Sequence, residues 1–239
     1  MSVARHKVAL VTGAGRGIGK ATAVALAKAG LYVYLASRTE SEILASEEQI
    51  VQSGGSAKAV PCDVADPEAV SALFSKIQQE RGGADVLINN AAVLHEAPFV
   101  DQTLQDWDRL MAVNVRGAFV CAQNALRSMA QKKAGVIVNV ASIAGIQGTE
   151  KFPGFSAYTV SKYAVVGLTE AMAAEARPLG VRVVCIAPGA VDTAMLKKAA
   201  PSLRTETTPD HIADIIRYLV LAEPGVPLSG TVLEIHSNV

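Results

Sequence analysis

The chain has 239 residues, half of them hydrophobic and 18% charged, which is enough apolar material to bury one sizeable core. A single domain over residues 1–239 is therefore expected. Lysine plus arginine and aspartate plus glutamate balance at 22 each, so no global field recruits nucleic acid or an anionic membrane, and charge recognition is left to local pockets.

Residues 1–7 carry basic side chains but run straight into a strand-like segment, without the apolar stretch and small-residue cleavage site of a signal peptide. No apolar run is long enough to span a bilayer, and a cytoplasmic location without a membrane partner is expected. Runs rich in Val, Ile and Leu recur at 8–11, 32–36, 57–60, 86–88, 136–140 and 181–186, each of strand length. The first leads through Thr12-Gly13-Ala14-Gly15-Arg16-Gly17-Ile18-Gly19 into a helix over 17–29 with Gly30 as its C-cap. Asp66 caps a second helix, 67–81, with Pro67 in its first turn. Longer helical segments cover 104–132 and 156–179, and the Gly54-Gly55 and Gly82-Gly83 pairs fit turns. Strands apolar on both faces imply a sheet covered on both sides, and the strand–helix alternation calls for right-handed crossovers between parallel strands. The expected fold class is α/β: a Rossmann-like, doubly wound parallel sheet with helices on both faces.

Cys62, Cys121 and Cys185 are far apart in apolar stretches and read as reduced core thiols. His6, His95, His211 and His236 form no cluster, so neither a metal site nor a Ser-His-Asp triad is indicated. His95 sits on a loop near the site but reads as a solvated loop residue.

Two stretches carry chemistry. Between the first strand and its helix, backbone N–H groups and the positive helix end face one spot, which suits a pyrophosphate; the strict Gly-x-Gly-x-x-Gly spacing is absent. Farther on, Tyr158 and Lys162 lie four residues apart in a helical segment and share one face. An ammonium beside a phenol lowers the phenol's pKa, which lets the tyrosine exchange a proton nearer neutral pH, as hydride transfer to a carbonyl requires.

The pattern Thr12-Gly13-x-x-x-Gly17-x-Gly19, followed by Asn89-Asn90-Ala91-Ala92, Ser142, Tyr158-x-x-x-Lys162 and Pro188-Gly189, resembles the short-chain dehydrogenase/reductase family over nearly the whole chain. The likeness extends to members that reduce carbonyls or 3-oxoacyl groups on acyl carrier protein. It implies Tyr158 as general acid or base, Lys162 bonding the nicotinamide ribose, Ser142 orienting the substrate oxygen, and Asn114 completing a proton relay through Lys162 and water. It also implies a cofactor site made by Gly13, Gly15, Arg16, Gly17, Ile18 and Gly19, with Asp63 and Val64 at the adenine and Asn90 and Ala91 beside the loop. Pro188, Gly189, Val191 and Thr193 fall at the nicotinamide. Ala92 replaces the commoner Gly.

Ser37 stands where NAD-preferring members often place Asp, while Arg16 and Arg38 match basic positions of NADP-preferring members, so the resemblance implies NADP(H) over NAD(H). One Arg–phosphate contact, at about 1.5–3 kcal/mol, favours NADP(H) roughly ten- to a hundredfold before screening. The segment after Ser142 is longer than in many relatives, and Ile143, Ala144, Phe152, Phe155, Leu94 and Met195 make an apolar pocket border that suits a hydrophobic ketone. Lys197, Lys198 and Arg204 offer themselves to an anion such as an acyl-carrier phosphopantetheine or equally form a solvated face, and the two long helical segments resemble those through which family members form a homodimer or homotetramer. After a last strand near 229–235, His236-Ser237-Asn238-Val239 departs from the family's frequent Asp-Gly-Gly ending. The reading is thus an NADP(H)-dependent carbonyl reductase acting on a small-molecule carbonyl or alcohol, which an acyl thioester also satisfies. The alternative is a non-catalytic NADP-binding sensor or scaffold.

Overall fold

The computed structural model describes residues 7–223 and 226–237; His6, Asn238 and Val239 lie outside the described residues. The strands are β1 (Val8–Thr12), β2 (Tyr32–Ser37), β3 (Ser56–Pro61), β4 (Val86–Asn89), β5 (Gly135–Val140), β6 (Val181–Pro188) and β7 (Val232–Ile235). They pair in parallel in one sheet of order β3-β2-β1-β4-β5-β6-β7. The helices are α1 (Gly17–Lys28), α2 (Glu40–Gln52), α3 (Pro67–Arg81), α4 (Leu104–Met111), α5 (Ala118–Lys132), α6 (Ser156–Ala176), α7 (Ala194–Ala199) and α8 (Pro209–Leu221).

Alternation along β1 explains the two layers. Ala9 and Val11 point into a core with Leu26 of α1, Ile43 of α2 and Ile216 of α8. Val8 and Leu10 point into another, with Ile77 of α3, Met129 of α5 and Ala176 of α6. Each fully buried Leu or Ile contributes about 1.5–3 kcal/mol, so both faces must be covered for the sheet to be stable. The doubly wound α/β fold read from the sequence is the fold observed.

The boundaries differ in instructive ways. Asp66 caps α3 as expected, accepting from Glu68 N at 2.9 Å, and Gly82 closes it at φ +75°. At the end of α1 the cap is Ala29, and Gly30 follows at φ +87°. The 104–132 segment is not one regular helix: a π-helical turn, Ala112–Gly117, separates α4 from α5. The 156–179 segment ends in a short 3₁₀ turn, Arg177–Leu179, because Pro178 cannot continue the α-helical ladder. All three cysteines are buried and free.

Candidate active site

Order 3-2-1-4 reverses the winding direction at β1 and β4, and the carboxyl ends of the strands open there into a crevice. Thr12, at the end of β1, fixes the two sides. Its hydroxyl donates to Ile88 O at 3.1 Å and accepts from the amides of Asn90 and Ala91 at 3.0 and 3.1 Å. The Asn90 side chain returns the favour, donating to the carbonyls of Thr12 and Gly13 at 2.9 and 3.2 Å. Gly19 has to lack a side chain because a Cβ there would run into the Gly13 carbonyl and the Asn90 amide. Gly13, at φ +66°, adopts a conformation that favours glycine.

The crevice continues into one cavity of about 940 Å³. Every site residue read from the sequence lines it except Gly19 and Asn114. At the far end of β2 and β3, Arg16 and Arg38 flank the mouth. Both already face carboxylates: Arg16 lies 3.4 Å from Glu42, and Arg38 lies 3.9 Å from Asp63. Asp63 also accepts from Ala65 N at 2.9 Å, a local turn contact that fixes one oxygen. On the β6 side the Thr193 hydroxyl accepts from Leu196 N at 3.2 Å and so caps α7.

The chemical end lies between β5 and α6. Ser142 accepts from Ala144 N at 3.2 Å, and the short turn Ile143–Gly145 packs so closely on α6 that a Cβ on Gly145 would meet the Lys162 backbone at 2.5 Å. Lys162 is only 3% exposed and donates to Val140 O at 2.8 Å. Burial brings its ammonium down to about 8. Tyr158 edges against Phe155, which edges against Phe152, with ring centroids 6.4 and 6.5 Å apart.

One expectation needs correction. Tyr158 is not brought toward neutrality: burial pushes its phenol up to about 12, and the neighbouring Ser142 hydroxyl offsets this only in part. The Lys162 ammonium is engaged by the Val140 carbonyl and sits 5.6 Å from the Tyr158 ring centroid, so sharing a helix face does not bring about the expected lowering. Asn114 is buried against Val93, which lines the cavity. From the π-helical turn its side chain accepts from Val93 N at 2.8 Å and donates to Val93 O at 2.9 Å and Ser161 Oγ at 3.0 Å. Ser161 in turn donates to Tyr158 O at 2.7 Å. The Asn114 side chain therefore fastens the loop after β4 to the helix that carries Tyr158.

The six apolar residues read as a pocket border all line the cavity. The long segment between Ser142 and Tyr158 is pinned at one carbonyl: Ile146 O accepts from Thr149 Oγ1, Lys151 Nζ and Tyr163 Oη at 3.0, 2.5 and 3.0 Å. Lys197 pairs with Asp192 at 2.8 Å, and Arg204 donates to Pro201 O at 2.7 Å. His95 is outside the lining and lies 3.6 Å from Asp106.

Among the lining residues not read from the sequence as site residues are His236, Ser237 and Glu42. His236 and Ser237 follow β7, and Ser237 Oγ accepts from Ala190 N at 3.0 Å, which fixes the loop after β6. Their signal was positional: a strand parallel to β6 must end beside Pro188-Gly189. Glu42 comes from the first turn of α2.

A parallel sheet whose first turn is a glycine cradle, opening into a cavity shared with a serine, a tyrosine and a buried lysine, defines a dinucleotide-binding oxidoreductase. The sequence model of the short chain dehydrogenases matches residues 7–204, and the chain belongs to that family. It is an oxidoreductase acting on CH–OH or C=O groups. An oxidoreductase of Staphylococcus aureus is 37% identical over 94% of both chains. A 3-oxoacyl-[acyl-carrier-protein] reductase of Synechocystis is 34% identical over 100% of this chain and 98% of its own length. Among solved structures, a short-chain type dehydrogenase/reductase from Mycobacterium marinum superposes with a TM-score of 0.89 at 32% identity, covering 96% of this chain and 94% of that one. A metagenomic short-chain oxidoreductase in complex with NADP gives 0.85 at 32% identity, covering 98% of each.

Proposed function

We propose that the chain is an NADP(H)-dependent reductase of apolar ketones or 3-oxoacyl groups, with Tyr158 as the proton donor. The observation that carries this is the grouping of Ser142, Tyr158 and the buried Lys162 on the wall of the cavity that the glycine loop opens into. A phenol on that wall can give its proton to an oxygen whose carbon receives hydride.

Bound NADP(H) supplies the hydride. Ser142 Oγ already accepts from Ala144 N, which leaves its own proton to orient a carbonyl oxygen toward Tyr158. Once Tyr158 gives up its proton, its phenolate is favoured by the Lys162 ammonium, held nearby by Val140 O. Asn114 and Ser161 position the Tyr158 backbone, and Phe152, Phe155 and Leu94 give the substrate side an apolar lining. Arg16 and Arg38, beside Ser37 and with no acid at the end of β2, support the NADP(H) preference.

The apolar border of the cavity suits an apolar ketone, and the Synechocystis relative keeps the thioester in view. Exposed Phe119 on α5 and Val160 and Tyr163 on α6 support a homodimer or homotetramer built on those helices. Among the described residues no helix is long and apolar enough to cross a membrane.

The test is NADPH oxidation by wild type and Tyr158→Phe across aliphatic, aromatic and acyl-thioester carbonyls. The variant should bind NADPH as wild type does and lose at least about a hundredfold in turnover, the range of general acid catalysis. Near-normal turnover would remove Tyr158 from its role.

A further inference from the structure

The corner where the glycine loop meets α2 holds a carboxylate that the reading above leaves without a task. Glu42 stands so close over the loop that a Cβ on Gly15 would come within 2.7 Å of both its Cβ and its Oε2, and within 3.5 Å of Ser37 Oγ. Its other oxygen lies 3.4 Å from Arg16 Nη1. The acid sits deeper than the base: the Glu42 side chain is 33% exposed and that of Arg16 75%.

α2 cannot back away from this position. Ser46, fully buried one turn farther on, donates to Glu42 O at 2.9 Å and lies 3.3 and 3.5 Å from the carbonyls of Ala14 and Gly15. Only rotation of the Glu42 side chain clears the corner. In a doubly wound fold this corner reads the adenosine ribose: a carboxylate accepts hydrogen bonds from the ribose hydroxyls, and an arginine accommodates a 2′-phosphate. The end of β2 supplies Ser37 and no acid, but α2 brings a carboxylate to the same place from another element.

We propose that Glu42 is a specificity-determining residue for the ribose. It competes with a 2′-phosphate for Arg16 and offers free hydroxyls an acceptor, so the chain binds the non-phosphorylated dinucleotide as well, and its preference for NADP(H) falls short of what two arginines alone would confer. This rests on the cofactor reading above, since both concern the same corner.

The test is direct binding, without substrate, of NADPH and NADH to wild type, Glu42→Gln and Arg38→Ala, by fluorescence titration. Glutamine keeps the shape and removes the charge. Glu42→Gln should raise the ratio of NADPH to NADH affinity by about three- to fivefold, the scale of one exposed charge interaction, and the gain should shrink in 0.5 M salt. A ratio that Glu42→Gln leaves unchanged, in a protein with wild-type circular dichroism, overturns the role of Glu42 whatever Arg38→Ala does. An Arg38→Ala ratio equal to that of wild type overturns the NADP(H) reading alone.

Discussion

Replacing Lys162 by Met should make the protein more stable near neutral pH and inactive as a reductase. In the fold, burial holds the Lys162 ammonium at about 8 against an ordinary value of 10.5, so the folded protein binds fewer protons than the unfolded chain between those values. At pH 7 the lysine is charged in both states, and keeping it charged while buried costs about 3 kcal/mol. Methionine removes that cost but orphans the Val140 carbonyl, which Lys162 satisfies at 2.8 Å, and this takes back about 1–3 kcal/mol. The net gain is therefore about 1 kcal/mol, or about 2–4 °C in Tm for a chain of this size.

The sharper signature is its pH dependence. Stability rises with pH wherever the unfolded chain holds more protons than the folded one, so wild type should gain about 2 kcal/mol relative to Lys162→Met between pH 7 and 9.5. The orphaned carbonyl does not titrate, and the other ionisable groups are common to both proteins. Urea unfolding of both at the two pH values gives the difference. A gap that stays constant with pH would mean that Lys162 is not held in the fold at a lowered pKa, and the account of the chemical end would fail with it.

Other consequences are open to simpler assays. Reduction at saturating NADPH and ketone should hold level up to about pH 8 and then fall as Lys162 loses its proton, because Tyr158 keeps its own to about 12; a pH–rate profile that climbs above 8 would contradict this. Asn139→Ala should cost about 2–3 kcal/mol in urea unfolding, since buried Asn139 bridges Asn89 at 2.9 Å and Thr169 at 2.8 Å and its loss strips both of a partner. Sedimentation at micromolar concentration should give a dimer or tetramer, and a monomer would remove the assembly proposed on α5 and α6.

The strands were legible because a parallel sheet covered on both faces leaves continuous apolar runs, and the caps at Asp66 and Gly82 follow from local chemistry. What escaped depends on distant partners. The break between α4 and α5 comes with the Asn89 amide, 29 residues upstream, donating to Ala118 O at 3.1 Å, and with a buried Asn114 tied to Val93. No periodicity within 104–132 announces either. The Tyr158–Lys162 spacing was read correctly as one helix face, but burial is a tertiary property, and so is the Val140 carbonyl that engages the lysine. α2 carries few buried apolar residues among its glutamates, Ile43 and Ile50 with Ser46 between them, so nothing local marked Glu42 as facing inward.

The cavity is electrostatically two-ended, and that decides which of its properties a single substitution can change. At the ribose end four charged side chains, Arg16, Arg38, Glu42 and Asp63, are each between 33% and 75% exposed. Water and salt screen them, each pair is worth at most about 1 kcal/mol, and exchanging one shifts cofactor preference severalfold with little effect on folding. At the chemical end a single ammonium is 3% exposed, where the same charge costs several times as much. A substitution there alters stability, proton affinity and the positioning of Tyr158 together. Cofactor choice in this chain should therefore be separable from its chemistry, because the two ends of one cavity sit in different dielectric surroundings.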